Sequence, residues 1–381
     1  MVEVPFNKPF VTGLELEAIA DAIARRDLSG DGHYTGLCEN ELERLFGCSK
    51  AFLTHSCTAA LEMAALLLDL GPGDEVIMPS FTFTSTANAV VLRGATPVFV
   101  DVESGTMNID AGKIEPLISP RTKAIVVVHY AGRPADMDAI NAIAASRGIV
   151  VVEDAAQSLG STYKGKPAGT HSQLSALSFH ETKNIVSGEG GALLVNDPAY
   201  EGRAAVLREK GTNRRSFLQG RTDKYSWVDV GSSYLPSELV AAFLSCQIGA
   251  IGNVTASRLS AWKRYRSNLQ AATDRGLELP DEISAEAVPN GHIFHILLPR
   301  AELRPGFLEA MKARGIQCTF HYVPLHSSPA GRKFCKTPDG CPITEDAAAR
   351  LVRLPMHSDI APQTVDFVSA AVVDVLREIA A

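Results

Sequence analysis

The run Gly148-Ile149-Val150-Val151-Val152-Glu153-Asp154-Ala155-Ala156 decides how this chain is to be read. Its apolar residues follow one another without alternation, as in a strand covered on both faces at the centre of a parallel sheet. Two acids end it. Upstream, Glu75–Pro79, residues 96–101 and residues 124–129 are further short apolar runs stopped by polar residues, and helix-period stretches such as 14–26 and 58–70 lie between or before them. That alternation predicts an α/β fold, a mostly parallel sheet with helices on both faces. Ligands of such sheets collect beyond the carboxyl ends of the strands, where Asp154 and His129 fall. After about residue 250 the pattern changes to an Arg- and Lys-rich helix, 257–269, and a strand-like alternation over 291–298. Residues 1–250 are therefore expected to form a large domain and 251–381 a smaller C-terminal α+β domain.

The 381 residues can bury a large core. A net charge of −7 argues against a nucleic-acid partner, so an anionic ligand must be met by local groups. Seven cysteines stand at scattered positions without a C-x-x-C pair, which reads as reduced cytosolic thiols. Cys335 and Cys341 lack the further ligands of a four-coordinate site, so no metal is expected. The first residues, Met1-Val2-Glu3-Val4-Pro5, carry neither a basic nor an apolar leader pattern, and no run approaches the ~18 apolar residues of a membrane span. A cytoplasmic protein without membrane contact is the expectation.

Chemistry enters 29 residues after Asp154, in Ser178-Phe179-His180-Glu181-Thr182-Lys183-Asn184 with Gly188-Glu189-Gly190-Gly191 beyond it. Alone, Lys183 reads as a solvated lysine and Asp154 as the cap of the next helix. Together they are what pyridoxal phosphate requires. A lysine amine forms a Schiff base with the cofactor aldehyde, and a carboxylate keeps the ring nitrogen protonated so that the ring accepts the electrons of a carbanion. Two phosphate-loop lookalikes fail. Gly160-Ser161-Thr162-Tyr163-Lys164-Gly165-Lys166-Pro167 puts proline where a Walker A loop needs Ser or Thr and is better read as a hairpin, and no G-x-G-x-x-G follows a strand.

With Ser56-Cys57-Thr58-Ala59-Ala60-Leu61, Gly71-Pro72-Gly73-Asp74-Glu75-Val76, Pro79-Ser80-Phe81-Thr82-Phe83, Val152-Glu153-Asp154-Ala155-Ala156-Gln157, Ser178-Phe179-His180 with Lys183, and His321-Tyr322-Val323-Pro324-Leu325-His326, the chain resembles the nucleotide-sugar aminotransferases of the DegT/StrS type from residue 5 onward. The resemblance implies an aspartate-aminotransferase-like large domain (PLP fold type I) and a homodimer whose active sites are shared between subunits. It implies Lys183 and Asp154 as catalytic residues. Ser56, Cys57 and Thr58 would hold the cofactor phosphate at a helix start, with Ser178 adding a hydroxyl. Phe83 would stack on the ring, and Gln157 would lie near its phenolic oxygen. His180, His321 and Tyr322 would border the sugar site, and Lys210, Arg214 and Arg215 are candidates for a diphosphate. Each keeps a plainer reading as an N-cap, a core aromatic, a satisfied histidine or a solvated basic loop.

Two positions depart from the family's pattern. Cys57 stands where relatives usually carry glycine. A run that reads Gly-x-Asn-Tyr-Arg-Met in many relatives is Gly231-Ser232-Ser233-Tyr234-Leu235-Pro236 here, so Ser233 takes the place of an asparagine that reaches the neighbouring subunit's cofactor phosphate. This variant run, together with Ser56-Cys57-Thr58 and His180-Glu181-Thr182-Lys183-Asn184, resembles one subgroup, the transaminases that make dTDP-4-amino-4,6-dideoxygalactose for surface polysaccharides such as enterobacterial common antigen and O-antigen. The implied reaction passes an amino group from L-glutamate, through the pyridoxamine phosphate form, to C4 of a dTDP-4-keto-6-deoxy sugar. Transfer at C3, cofactor-dependent dehydration and a non-catalytic binding module are the alternatives. The last two sit poorly with the presence of Lys183 and Asp154.

Overall fold

Valine, isoleucine and leucine runs form the central strands, and each strand divides its side chains between two helix layers. The computed structural model describes residues 3–214, 217 and 220–379. Arg215 lies outside the described residues. Strands β1 (Lys50–Thr54), β2 (Glu75–Pro79), β3 (Thr96–Val100), β4 (Thr122–Val128) and β5 (Val150–Asp154) come first in the chain. The hairpin strands β6 (Thr162–Tyr163) and β7 (Lys166–Pro167) follow, then β8 (Leu174–Ser178) and β9 (Gly191–Val195). The seven longer strands form one sheet in the order β1-β9-β8-β5-β4-β2-β3. It is mostly parallel, since only β9 runs against its neighbours.

Helices α1 (Glu15–Arg25), α2 (His33–Phe46), α3 (Cys57–Leu67), α4 (Thr84–Val91), α5 (Met137–Arg147) and α6 (Glu201–Arg208) clothe the sheet. The layering follows the period of two. Val152 of β5 packs in one cluster with Ala60 and Met63 of α3, while Val151 packs in another with Met137 and Ile140 of α5. Burial of each such side chain contributes about 1.5–3 kcal/mol. The hairpin expected over 160–167 is present as β6 and β7, turned through Lys164 and Gly165, both at positive φ, and β10 (Ala287–Val288) pairs antiparallel with β6.

A separate core gathers Val4 with Trp262, Tyr265, Phe294, Phe307, Val352, Val368 and Val372. It lies around the helices Ile251–Leu269, Leu303–Ala313 and Pro362–Ile379 and the two-stranded sheet of β11 (His295–Leu297) and β12 (Leu351–Arg353). The strand expected over 291–298 is much shorter, only β11. Gly291 sits at φ +66°, and the Arg258 guanidinium takes the carbonyls of Gly291 and His292, so that backbone is diverted from a ladder. The basic helix also starts earlier than 257, at Ile251. Among the described residues no single helix is long and apolar enough to cross a membrane; one pair, Glu238–Ile248 with 251–275, passes that test together but is bent by 61°.

Candidate active site

Strand β5 ends by sending its two acids to opposite faces. Glu153, fully buried, accepts from His129 Nε2 at 2.8 Å, the Gly169 amide at 2.6 Å, the His171 amide at 2.8 Å and the Ser172 hydroxyl at 2.8 Å. Burial pushes its carboxyl up, but these donors outweigh burial and the net shift is downward. His129 Nδ1 accepts from the Ala135 amide, so its proton sits on Nε2 toward Glu153. This buried knot fixes the strand end. On the other face, Asp154 accepts from Thr86 Oγ1 of α4 at 2.8 Å and from the Ala156 amide at 3.2 Å. Burial pushes the Asp154 carboxyl up, against the pull of Thr86, the Ala156 amide and the Lys183 charge.

Asp154 opens onto a cavity of about 560 Å³, a size suited to a cofactor with a substrate. The β8 end delivers Ser178 and Lys183 to it. The 179–190 loop is closed by Phe179 N to Gly190 O, Glu181 N to Gly188 O and Ser187 N to Phe179 O bonds. Lys183 Nζ makes no hydrogen bond or ion pair among the described residues, and burial pushes its pKa down, against the Cys57 and Asp154 charges. The turn from β1 into α3 supplies Ser56, Cys57 and Thr58. Ser56 caps the helix, its Oγ accepting from the Ala59 amide at 3.1 Å. Thr58 Oγ1 lies 2.7 Å from Ser85 Oγ of α4. The Cys57 and Thr58 amides have no acceptor among the described residues, which leaves the positive end of α3 aimed at the cavity.

The remaining walls bring together most of the other residues singled out in the sequence. Gln157 Oε1 accepts from the Ala131 amide at 2.7 Å, and its Nε2 donates to the Tyr322 hydroxyl at 2.7 Å. Burial pushes the Tyr322 hydroxyl far up and holds His321 well below the ordinary imidazole range. The His321 and Tyr322 rings stack at 3.7 Å, and Tyr130 OH meets His321 Nδ1 at 2.8 Å. Phe83 lies on the wall 6.4 Å from the Tyr322 ring, 58% exposed in this chain. His180 stands at the rim, its Nδ1 2.9 Å from Thr182 Oγ1.

Ser233, Lys210 and Arg214 are elsewhere. They line a second cleft of about 390 Å³ with Gly30 and Tyr225. Lys210 and Arg214 both pair with Glu209 at 2.7 Å, and although burial pushes the Glu209 carboxyl up, the two cations bring it below its ordinary value.

Several site residues were not named from sequence. Asn184 donates to Asn290 O and accepts from His292 Nδ1 at 2.9 Å, tying the Lys183 loop to the second core. Thr86 and Ser85 reach the site because α4 starts at the end of β2. Arg353 and Arg258 come from the second core. For Asn184 the neighbouring lysine was a signal; for Arg353, 170 residues away, none existed.

The donor set fits pyridoxal phosphate. Unpaired amides at a helix start, with hydroxyls beside them, suit its phosphate, an unpaired amine in a desolvated wall suits its aldehyde, and a buried carboxylate with lone pairs left over suits its ring nitrogen. Comparison with known proteins gives the same answer. The family model described as DegT/DnrJ/EryC1/StrS aminotransferase family matches residues 11–373. Among solved structures, the aminotransferase TlmJ of Streptoalloteichus hindustanus is 30% identical over 99% of this chain and 100% of its own, with a TM-score of 0.91. DesV of S. venezuelae is 31% identical over 99% of each chain, with a TM-score of 0.90. Spr1654 of Streptococcus pneumoniae, in its PLP form, is 25% identical over 99% of this chain and 100% of its own, with a TM-score of 0.90.

Proposed function

We propose a specific reaction for this chain, which belongs to the DegT/DnrJ/EryC1/StrS aminotransferase family and is a pyridoxal-phosphate-dependent sugar aminotransferase of fold type I. It transfers the amino group of L-glutamate to C4 of a dTDP-4-keto-6-deoxyhexose, giving dTDP-4-amino-4,6-dideoxygalactose or a close relative. The product feeds surface polysaccharides of the enterobacterial common antigen or O-antigen kind, and the reaction runs in the cytoplasm. The observation that carries the catalytic part is the convergence of Lys183, Asp154 and the open start of α3 on one cavity. The sugar rests on the variant run Gly231-Ser232-Ser233-Tyr234 and the Cys57 turn.

When bound, pyridoxal phosphate supplies an aldehyde for the amine to condense with and a protonated ring that takes up the electron pair left as a carbon–hydrogen bond breaks. The amides of Cys57 and Thr58, with the Ser56, Thr58 and Ser178 hydroxyls, would hold its phosphate, and Phe83 and Gln157 would flank its ring. Asp154 provides the charge that keeps the ring nitrogen protonated. Lys183 Nζ takes the proton from the α-carbon of glutamate and later returns one to C4 of the sugar. That shuttle needs a neutral amine, which the desolvated wall favours. Glu153 and His129 touch neither substrate and hold Asp154 in register.

We further assign the second cleft, with Ser233, Lys210 and Arg214, to the active site of a partner copy in a homodimer. Tyr225, Trp227, Val228 and Val230 beside it are exposed, Trp227 by 79%, as an unpaired interface would be. A panel of dTDP-, UDP- and GDP-linked 3-keto and 4-keto sugars with L-glutamate tests the reading, with products resolved by mass and by proton couplings at C4. Preference for a 3-keto substrate, or release of a deoxy sugar without nitrogen, would replace it.

A further inference from the structure

Among the described residues, three cationic side chains stand in the wall of the cavity: Lys183, Arg258 and Arg353. Lys183 is taken up by the chemistry. Arg258 is occupied by protein, donating to the carbonyls of Gly291, His292 and Met356. Arg353 is different. It ends β12, its backbone is locked to Thr319 in both directions, and its guanidinium lies 4.5 Å from the Phe6 ring centroid. The side chain meets no carboxylate among the described residues, and its Nε is buried without an acceptor. A mostly buried guanidinium lacking an anion is costly, so the arrangement is complete only when an anion arrives.

We propose that Arg353 is the residue that recognises the carboxylate of the amino donor, with the Phe6 ring holding its planar fork toward the cavity. The inference rests on the transaminase reading above and deepens it. One cavity must take two unlike substrates in turn, and of the two only the amino acid brings a carboxylate close to the reacting carbon. The diphosphate of a sugar nucleotide is also anionic, but its nucleotide must extend outward. Arg353 faces inward, close enough to the wholly buried Tyr130 hydroxyl and to His321 to bias both. A planar guanidinium matches a carboxylate through two parallel hydrogen bonds.

Arg353→Gln and Arg353→Lys in the holoenzyme test this, with retention of the cofactor's absorbance as the control for folding. Arg353→Gln should raise KM for L-glutamate by about 10- to 100-fold, the scale of a charge-assisted pair, and leave KM for the keto-sugar nucleotide unchanged. Arg353→Lys should fall between, since it keeps the charge and loses the fork. Calorimetric titration with glutarate, which cannot react, should show the same loss of affinity without any turnover. Unchanged glutarate affinity in Arg353→Gln, or an equal loss for the sugar nucleotide, would overturn the assignment. A wild-type protein that binds glutarate through Arg353 yet transfers no amine would instead overturn the proposed function alone.

Discussion

The fold desolvates both Lys183 and Asp154, and the role proposed for each has its own test. Lys183→Ala removes a covalent anchor and a proton carrier but little core volume, so glutamate-dependent turnover should vanish while the melting temperature stays within a few degrees. More than a trace of turnover would refute the role. Asp154→Asn keeps the shape and loses the charge that opposes the ring nitrogen, so kcat at saturating cofactor should fall by about 100-fold or more, the scale of a lost preorganised electrostatic partner. The same substitution should stabilise the cofactor-free protein at neutral pH. Burial raises the folded pKa of Asp154 above its unfolded value. Between those two values the native state holds more protons than the unfolded one, so stability falls as pH rises and the penalty is complete above the folded pKa. Melting curves of the apo forms should therefore separate, with Asn higher, as pH rises from about 3, and converge in acid. Identical curves at neutral pH would show that Asp154 is not held against its ionisation.

At the scale of elements, the phosphate cradle proposed at the start of α3 depends on how closely strand β9 lets that helix approach. Gly191, the first residue of β9, has no room for a side chain: a Cβ there would stand 2.4 Å from the Cys57 nitrogen and 2.4 Å from the Ser56 carbonyl carbon. Backbone cannot yield as a flexible side chain does. Gly191→Ala should displace the α3 start, cost about 1–3 kcal/mol of stability and weaken cofactor retention, measured by thermal melting and by dialysis against buffer. Full retention with an unshifted melting temperature would show that the approach is slack. The central strands and α3 were legible because burial on both faces and an N-cap leave local patterns in the chain. The 291–298 segment was misread because its alternation is real while its hydrogen bonds are claimed by Arg258, a residue more than thirty positions away. Arg353 and the Asn184–His292 pair were hidden for the same reason: their meaning lies in which side chains meet across the two cores.

For the whole molecule, the second cleft poses the question of assembly. The resemblance puts Ser233 at the cofactor phosphate of a neighbouring subunit, and in this chain it lies outside the Lys183 cavity, on a segment tied to its own chain by Lys210 N to Ser232 O and Tyr234 N to Arg208 O bonds. Gly231 presses so close to the Gly211 amide that a Cβ would stand 2.1 Å away, so the segment packs tightly against its own chain there. If Ser233 meets a phosphate, that phosphate belongs to another copy. The Ser233 hydroxyl makes no hydrogen bond among the described residues, and the exposed apolar residues around Trp227 would be covered by the same contact. Sedimentation should show at least a dimer, and Trp227→Glu should shift it toward monomer with loss of cofactor from both sites. Ser233→Ala should leave the dimer intact and weaken cofactor retention by about 0.5–1.5 kcal/mol, one hydrogen bond, or roughly 2- to 12-fold. A fully active monomer would sever this cleft from the chemistry, and the α3 start with Ser178 would then hold the phosphate within a single chain.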